Sequence, residues 1–301
     1  MGSFLSGKVV AVTGAGRGIG RAVALACAAE GARVVVNDYG VSMDGLEPTS
    51  AVADEVVAEI KKAGGDAASN ANSVAEMEGG ASIVKTALDK FGRIDGVVCV
   101  AGILRERMLF NMSENEWDPV IATHLKGTFT VFRAAAAAMR EQKSGTLIGF
   151  TSGAYAGSVA QANYSAAKGG IVSLVRSAAA GMYRYGVTAN CIAPVAKTRM
   201  SANVPMEISD IGEAEDIAPM VVYLLSDQAR NVTGQVYTVA GGKIAVWNQP
   251  VEARAMYKDG RWSPEEIARR LPGSVGVERM GLIDRLEEMR RAAAAKEKPN
   301  A

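Results

Sequence analysis

Tyr164 and Lys168 stand four residues apart in Tyr164-Ser165-Ala166-Ala167-Lys168, the spacing that puts two side chains on one face of a helix. A tyrosine at its ordinary pKa of about 10 is a poor base near neutral pH. An ammonium one turn away favours the phenolate and would equip Tyr164 to take a hydroxyl proton. Near the start of the chain, the apolar run Val9-Val10-Ala11-Val12 leads into Thr13-Gly14-Ala15-Gly16-Arg17-Gly18-Ile19-Gly20. Glycines in such a turn let a phosphate reach the backbone amides at the N-terminus of the next helix. Gly14, Arg17, Gly18, Ile19 and Gly20 are therefore candidate contacts of a nucleotide. The pattern is not G-x-G-x-x-G, because Ile19 occupies the third glycine position. Asp38 lies about as far beyond the turn as a ribose-binding carboxylate should.

These residues need a frame. Val9–Thr13 reads as a buried strand, and Ala22 to Ala29 as a helix ended by Gly31. Arg33 to Asp38 reads as a second buried strand. Further strands are expected at Asp66–Asn70, Asp95–Gly102, Gly145–Phe150, Val187–Ile192 and Gln235–Val239, with helices between them. Ser113-x-x-Glu116 is a capping box that opens a long helix to about Gln142. A second long helix covers about Asn163 to Tyr185. This alternation indicates one doubly wound α/β domain with a parallel seven-stranded sheet covered on both faces. The catalytic domain is expected over 1–242 and a C-terminal extension over 243–301, where Ser263-Pro264-Glu265-Glu266 is another capping box. Leu282, Ile283, Leu286 and Met289 form one apolar stripe near the end. The extension is expected to pack over the active site or a subunit interface. No internal repeat is present.

The bulk composition excludes several classes. The chain has 301 residues and a net charge of +1, which offers no basic surface for nucleic acid or an anionic membrane. No apolar run is long enough to span a bilayer. The N-terminus lacks the charge and apolar run of a signal peptide. Cys27, Cys99 and Cys191 each sit in an apolar run and read as reduced, buried residues of a cytoplasmic protein. No metal site is expected.

The glycine turn T-G-x-x-x-G-I-G and the Tyr164–Lys168 motif together resemble the short-chain dehydrogenase/reductase family over about residues 7 to 242. The resemblance implies a Rossmann-type sheet with strand order 3-2-1-4-5-6-7, and an oxidoreductase in which Tyr164 is the base and Lys168 tunes it and binds the nicotinamide ribose. It implies a catalytic serine after the fifth strand. Ser152 stands twelve residues before Tyr164, one short of the family's usual spacing, which falls on Thr151; Ser152 is favoured. Ala101-Gly102 keeps the end of the family's N-N-A-G. Asn72 and Ser73 stand where the family contacts adenine, and Pro194, Ala196 and Thr198 where it surrounds the nicotinamide amide. In His124-Leu125-Lys126-Gly127-Thr128-Phe129, the only histidine replaces the family's catalytic asparagine, and would hold the water linking Lys168 to solvent.

Arg17 is where relatives that prefer NADP carry a basic residue, and Asp38 is where relatives that prefer NAD carry an acid. A strand-end carboxylate repels a 2′-phosphate and cannot easily leave, so NAD is expected. The stretches 101–107, 124–127, 161–168 and 192–200 are similar to the (3R)-hydroxyacyl-CoA dehydrogenase domain of peroxisomal multifunctional enzymes type 2, also called 17β-hydroxysteroid dehydrogenase type 4, and to stand-alone bacterial relatives. That likeness implies oxidation of a 3-hydroxyacyl-CoA thioester in fatty acyl or sterol side-chain degradation, by a homodimer or homotetramer. Alternatives are a hydroxysteroid dehydrogenase, a 3-oxoacyl thioester reductase, or a cofactor-binding scaffold with little turnover.

Overall fold

The protein is described from a computed structural model that covers residues 3–40, 49–197, 211–276 and 279–296. Thr198, one of the expected cofactor contacts, lies outside the described residues.

Strands β1 (Val9–Thr13), β2 (Arg33–Asn37), β3 (Asp66–Asn70), β4 (Gly96–Cys99), β5 (Gly145–Phe150), β6 (Val187–Pro194) and β7 (Val236–Ala240) form a parallel sheet. They run in the expected order 3-2-1-4-5-6-7. An eighth strand, β8 (Lys243–Val246), adds to the edge antiparallel to β7, giving the full order β3-β2-β1-β4-β5-β6-β7-β8. It lies in the stretch read from sequence as the start of the extension. Its mixed composition, with Lys243, Ile244 and Val246 exposed, carries no buried-strand signal.

The strands are apolar on both sides because helices cover both faces. Val10, Val12, Val34 and Val36 point into one core, shared with α1 (Gly18–Ala29), α2 (Ala51–Lys62) and α7 (Ala218–Leu225). Val9, Ala11 and Val35 alternate into the other, shared with α3 (Met77–Phe91), α5 (Gly127–Gln142) and α6 (Ala162–Met182). Each fully buried valine contributes about 1.5–3 kcal/mol relative to exposure, so the paired cores hold the strand ends in register.

The expected long helix from Ser113 is two helices joined by a π turn. α4 (Glu114–Ile121) opens on the capping box, with Ser113 N donating to Glu116 Oε2 at 2.9 Å. Residues Ala122–Lys126 then widen into π geometry before α5 begins. Such a turn inserts an extra residue and re-aims the side chain it carries, here His124.

The chain divides into two compact units, Met1–Trp247 and Asn248–Ala301. The second contains α8 (Pro264–Arg270) and α9 (Gly281–Lys296). Ser263 and Glu266 close the expected capping box on α8, and Trp262 lies under Lys258 and Arg270 at 5.6 and 4.9 Å. Ile283, Leu286 and Met289 of the apolar stripe are exposed on α9.

Candidate active site

Residues at the carboxyl ends of the strands meet others from α6 and the π turn at the site. The strand order reverses between β1 and β4, and a crevice for a ligand opens at such a switch point. After β1 the chain turns through Gly14 into α1. A Cβ on Gly14 would meet the Ala101 backbone at 2.7 Å, and one on Gly20 would meet the Gly14 carbonyl at 2.1 Å. These glycines let the turn, helix and β4 end press together. Thr13 Oγ1 ties the same junction by accepting from the Val100 and Ala101 amides at 3.2 and 3.3 Å.

The first turn of α1 has no side-chain cap and no acidic residue, and a Cβ on Gly18 would meet nothing within 4 Å. Its free amides and partial positive charge fit a pyrophosphate. Ile19 packs against the core beside it, and Arg17 is exposed. Asp38 faces the same turn. Its Oδ2 accepts from the Gly16 amide at 2.8 Å and its Oδ1 from the Gly40 amide at 2.7 Å. Two backbone donors hold this carboxylate at the end of β2.

Asn72 and Ser73 follow β3, with their side chains already engaged inside the chain. Asn72 Nδ2 donates to Ser82 Oγ at 2.9 Å, and Ser73 Oγ accepts from the Ala75 amide at 3.2 Å. Pro194 ends β6, and Ala196 is buried in a bridge to Gly212.

The reacting groups meet after β5. Thr151 and Ser152 point in opposite directions, as successive residues of an extended chain must. Thr151 is 2% exposed and its Oγ1 donates to the Lys168 carbonyl at 2.9 Å. Ser152 is half-buried, accepts from the Ala154 amide at 3.2 Å and lies close enough to the Tyr164 hydroxyl to favour its ionised form. Tyr164 and Lys168 share a face of α6, with Lys168 Nζ 5.3 Å from the phenol ring centre. Lys168 is 4% exposed and donates to the Phe150 carbonyl at 2.7 Å.

Burial sets one expectation against an opposing effect. The sequence argument has Lys168 favouring the Tyr164 phenolate. In the cofactor-free chain, burial pushes Lys168 down to about 7, while burial raises Tyr164 against the opposing Ser152 hydrogen bond. The lysine has lost its proton before the phenol titrates, so no ammonium remains to help it. The two are neighbours, with Lys168 Nζ 5.3 Å from the phenol ring centre, so an ammonium there would attract a phenolate. Whatever solvates the ammonium therefore also lowers the phenol.

His124 is 1% exposed, and its ring stands edge-on to Tyr164. Its Nε2 lies 2.8 Å from the Ile103 carbonyl and 3.2 Å from the Ile103 amide. The shorter contact assigns the proton to Nε2, which donates to the carbonyl. Nδ1 is then a bare acceptor, buried and without a hydrogen-bond partner among the described residues. Burial, and then the nearby Lys168 charge, hold the imidazole well below its ordinary pKa. Gly102 is what the ring packs on: a Cβ there would sit 2.1 Å from His124 Cε1. Asn163, quoted in sequence only as a neighbour of Tyr164, is buried completely. Only its place in the tertiary structure sets it apart.

The chain has relatives among known proteins. Residues 14–243 match the family described as Enoyl-(Acyl carrier protein) reductase. The chain is 41% identical over 284 residues to hydroxyacyl-CoA dehydrogenase ChsB1 of Mycobacterium tuberculosis, covering 89% of this chain and 88% of that one. It is 42% identical over 266 residues to peroxisomal multifunctional enzyme type 2 of Mus musculus, covering 87% of this chain and 36% of that longer protein. A crystal structure of a short chain dehydrogenase from Mycobacterium avium superposes with a TM-score of 0.83 at 48% identity, covering 92% of this chain and 97% of that one. Members of this group typically work with a nicotinamide dinucleotide, NAD or NADP. The chain is an oxidoreductase and belongs to the short-chain dehydrogenase/reductase family.

Proposed function

We propose that this protein oxidises the 3-hydroxyl of an acyl-CoA thioester to the 3-oxo group with NAD⁺. The observation that carries the reading is the convergence of Ser152, Tyr164 and Lys168 at the strand ends that also bear the glycine turn and Asp38. When bound, the nicotinamide supplies the acceptor for the hydride leaving the carbinol carbon. Ser152 donates to the substrate oxygen and offsets charge developing there. Tyr164 takes the hydroxyl proton. Lys168 stabilises the phenolate once its ammonium is hydrogen-bonded by the bound dinucleotide's ribose. His124 Nδ1 accepts a hydrogen bond from a water on the proton's route from Lys168 to solvent.

Asp38 supports NAD over NADP, because its held carboxylate would face the added 2′-phosphate. Of the remaining contacts, Gly14, Arg17, Gly18, Ile19, Gly20, Asn72, Ser73, Ala101, Gly102, Pro194, Ala196 and Thr198 complete the proposed dinucleotide site. The likeness to hydroxyacyl-CoA dehydrogenase ChsB1 supports a thioester substrate. The reverse reaction, reduction of a 3-oxoacyl thioester, uses the same atoms, and a 40% identity over 250 residues to the 3-oxoacyl-[acyl-carrier-protein] reductase of Synechocystis sp. favours it as the second reading.

Catalytic residues 1–242 with an extension over 243–301 remain the domain reading. A cytoplasmic setting is supported by the unpaired, buried Cys27, Cys99 and Cys191. Homodimer or homotetramer assembly through α5 and α6 is supported by Phe129, which α5 leaves 43% exposed. The test of function is production of NADH from NAD⁺ with both enantiomers of 3-hydroxyacyl-CoAs, run beside a hydroxysteroid panel. Turnover of steroids alone, or of neither class, overturns the reading.

A further inference from the structure

The segment between β4 and α4 is fastened to the entrance of α6 by an unusual concentration of contacts. Arg107 forms a parallel bridge with Gln161, and its amide donates to the Ala160 carbonyl at 2.8 Å. Gln161 Nε2 donates to Glu106 Oε1 at 2.6 Å. Ala160 holds a φ of +59°, a left-handed conformation that costs a non-glycine residue about 1–2 kcal/mol and persists only where its surroundings impose it.

Asn163 is the centre of this junction. It is 0% exposed and every hydrogen-bonding atom of its side chain is used. Nδ2 donates to the Arg105 carbonyl at 2.9 Å and the Glu116 carbonyl at 2.6 Å. Oδ1 accepts from the Tyr164 amide at 2.7 Å, one of the first-turn donors that α6 cannot satisfy itself. The segment held by Asn163 is also the one that holds His124, through Ile103. His124 in turn meets the Tyr164 ring edge at 5.2 Å. The contacts close a ring: Tyr164, Asn163, Arg105, Ile103, His124, and back to Tyr164.

We propose that Asn163 is a positioning residue for the reaction, locking the backbone of Tyr164 and the segment 103–107 into one register so that Tyr164, His124 and Ser152 keep their mutual geometry. This rests on the reading of Tyr164 as the base. A side chain that bonds three backbone groups from three segments fixes distance and angle together, and displacements of about an ångström at a reacting group cost about a hundredfold in rate. Releasing Tyr164 also draws its hydroxyl away from Ser152, which favours the ionised phenol, so the phenol titrates higher.

Three variants test this. Asn163→Ala removes all three bonds. Asn163→Asp keeps an acceptor for the Tyr164 amide and loses the paired donation to Arg105 and Glu116. Tyr164→Phe runs alongside. For each, Tm, NADH affinity by fluorescence, and the kcat–pH profile with NAD⁺ and racemic 3-hydroxybutyryl-CoA are measured. The expected result is that both Asn163 variants fold and bind NADH within about twofold of the unmodified protein. Their kcat falls by about tenfold or more, and the acid limb of kcat moves up by about half a pH unit or more. Unchanged kcat overturns the proposal. So does a loss of kcat with an unmoved acid limb, a parallel loss of NADH binding, or failure of both variants to fold, each of which makes Asn163 a purely structural residue. If Tyr164→Phe retains turnover, the assignment of the base fails first. If Tyr164→Phe is inactive and the Asn163 variants are normal, only the positioning role fails.

Discussion

The imidazole of His124 meets the phenol of Tyr164 edge-on, with ring centres 5.2 Å apart and planes at 86°. An aromatic edge against a face is the favoured arrangement of two rings. Here it sets a titratable ring beside the proposed base, whose ring centre also lies 5.3 Å from Lys168 Nζ. The charge state of either neighbour is felt by the phenol.

His124 should make the fold acid-sensitive. Its folded pKa lies well below the ordinary 6.5 because of burial and Lys168. As pH falls through about 6.5, the unfolded chain takes a proton that the folded chain refuses, so stability is lost toward acid. His124→Asn should lose less, by roughly 1 kcal/mol at pH 5.5, in urea melts at pH 5.5 and 7.5. It should keep most activity near pH 8 with a changed acid limb. Superimposable melts and rate profiles would leave His124 a packing residue.

Lys168 acts over a different window. Its folded value of about 7 lies below the ordinary 10.5, so between those values the unfolded chain holds a proton the folded chain lacks. Stability gains from this group as pH rises from about 7 to 10.5, and its burial costs most below pH 7. Lys168→Met should therefore stabilise the cofactor-free protein at pH 6.5 while abolishing turnover, with the advantage shrinking toward pH 10. Parallel stability curves for the two proteins would contradict the depressed value.

Ser152 and Thr151 should separate cleanly. Ser152→Ala removes a donor aimed at developing charge and should lower kcat by about a hundredfold or more. Thr151→Val removes a buried bond to the Lys168 carbonyl and should cost stability, about 1 kcal/mol, with a mild effect on kcat. The opposite ranking in steady-state kinetics would transfer the role to Thr151.

Asp38 should dictate cofactor choice. NADH is expected to bind at least about tenfold more tightly than NADPH, a difference of about 1.4 kcal/mol. Asp38→Ser should narrow that gap in fluorescence titrations. Tighter NADPH binding by the unmodified protein would show that Arg17 reaches the 2′-phosphate and prevails.

Gly102 and His124 should behave as a pair. An added Cβ would lie 2.1 Å from His124 Cε1, so Gly102→Ala should destabilise by about 1–3 kcal/mol through overpacking. Combining it with His124→Ala should recover part of that loss. Additive effects in denaturant melts would place the strain elsewhere.

What the chain declares locally, it declares well. The apolar run of Val9–Thr13, the glycines after it and the alternating strands and helices are short-range patterns, and they marked out the parallel sheet and the glycine turn before any contact was known, while the family resemblance supplied the strand order. Tyr164 and Lys168 share a face because one helical turn is a property of the backbone. Strand β8 was not legible, since an exposed edge needs no apolar pattern. The π turn at Ala122–Lys126 was hidden too, because its residues are ordinary helix formers and only packing against Ile103 selects the wider turn. Between Thr151 and Ser152 the linear spacing left a choice, and the direction in which β5 presents each hydroxyl separated them physically. Lys168 shows what linear spacing leaves out. Adjacency along a helix says that an ammonium is near a phenol, but burial decides whether it stays charged, and burial is assembled from β5, β6 and α6 together. Asn163 shows the same division, because its three bonds join residues 47 and 58 positions away to its own neighbour. Long-range contacts of that kind exist only once the chain has folded.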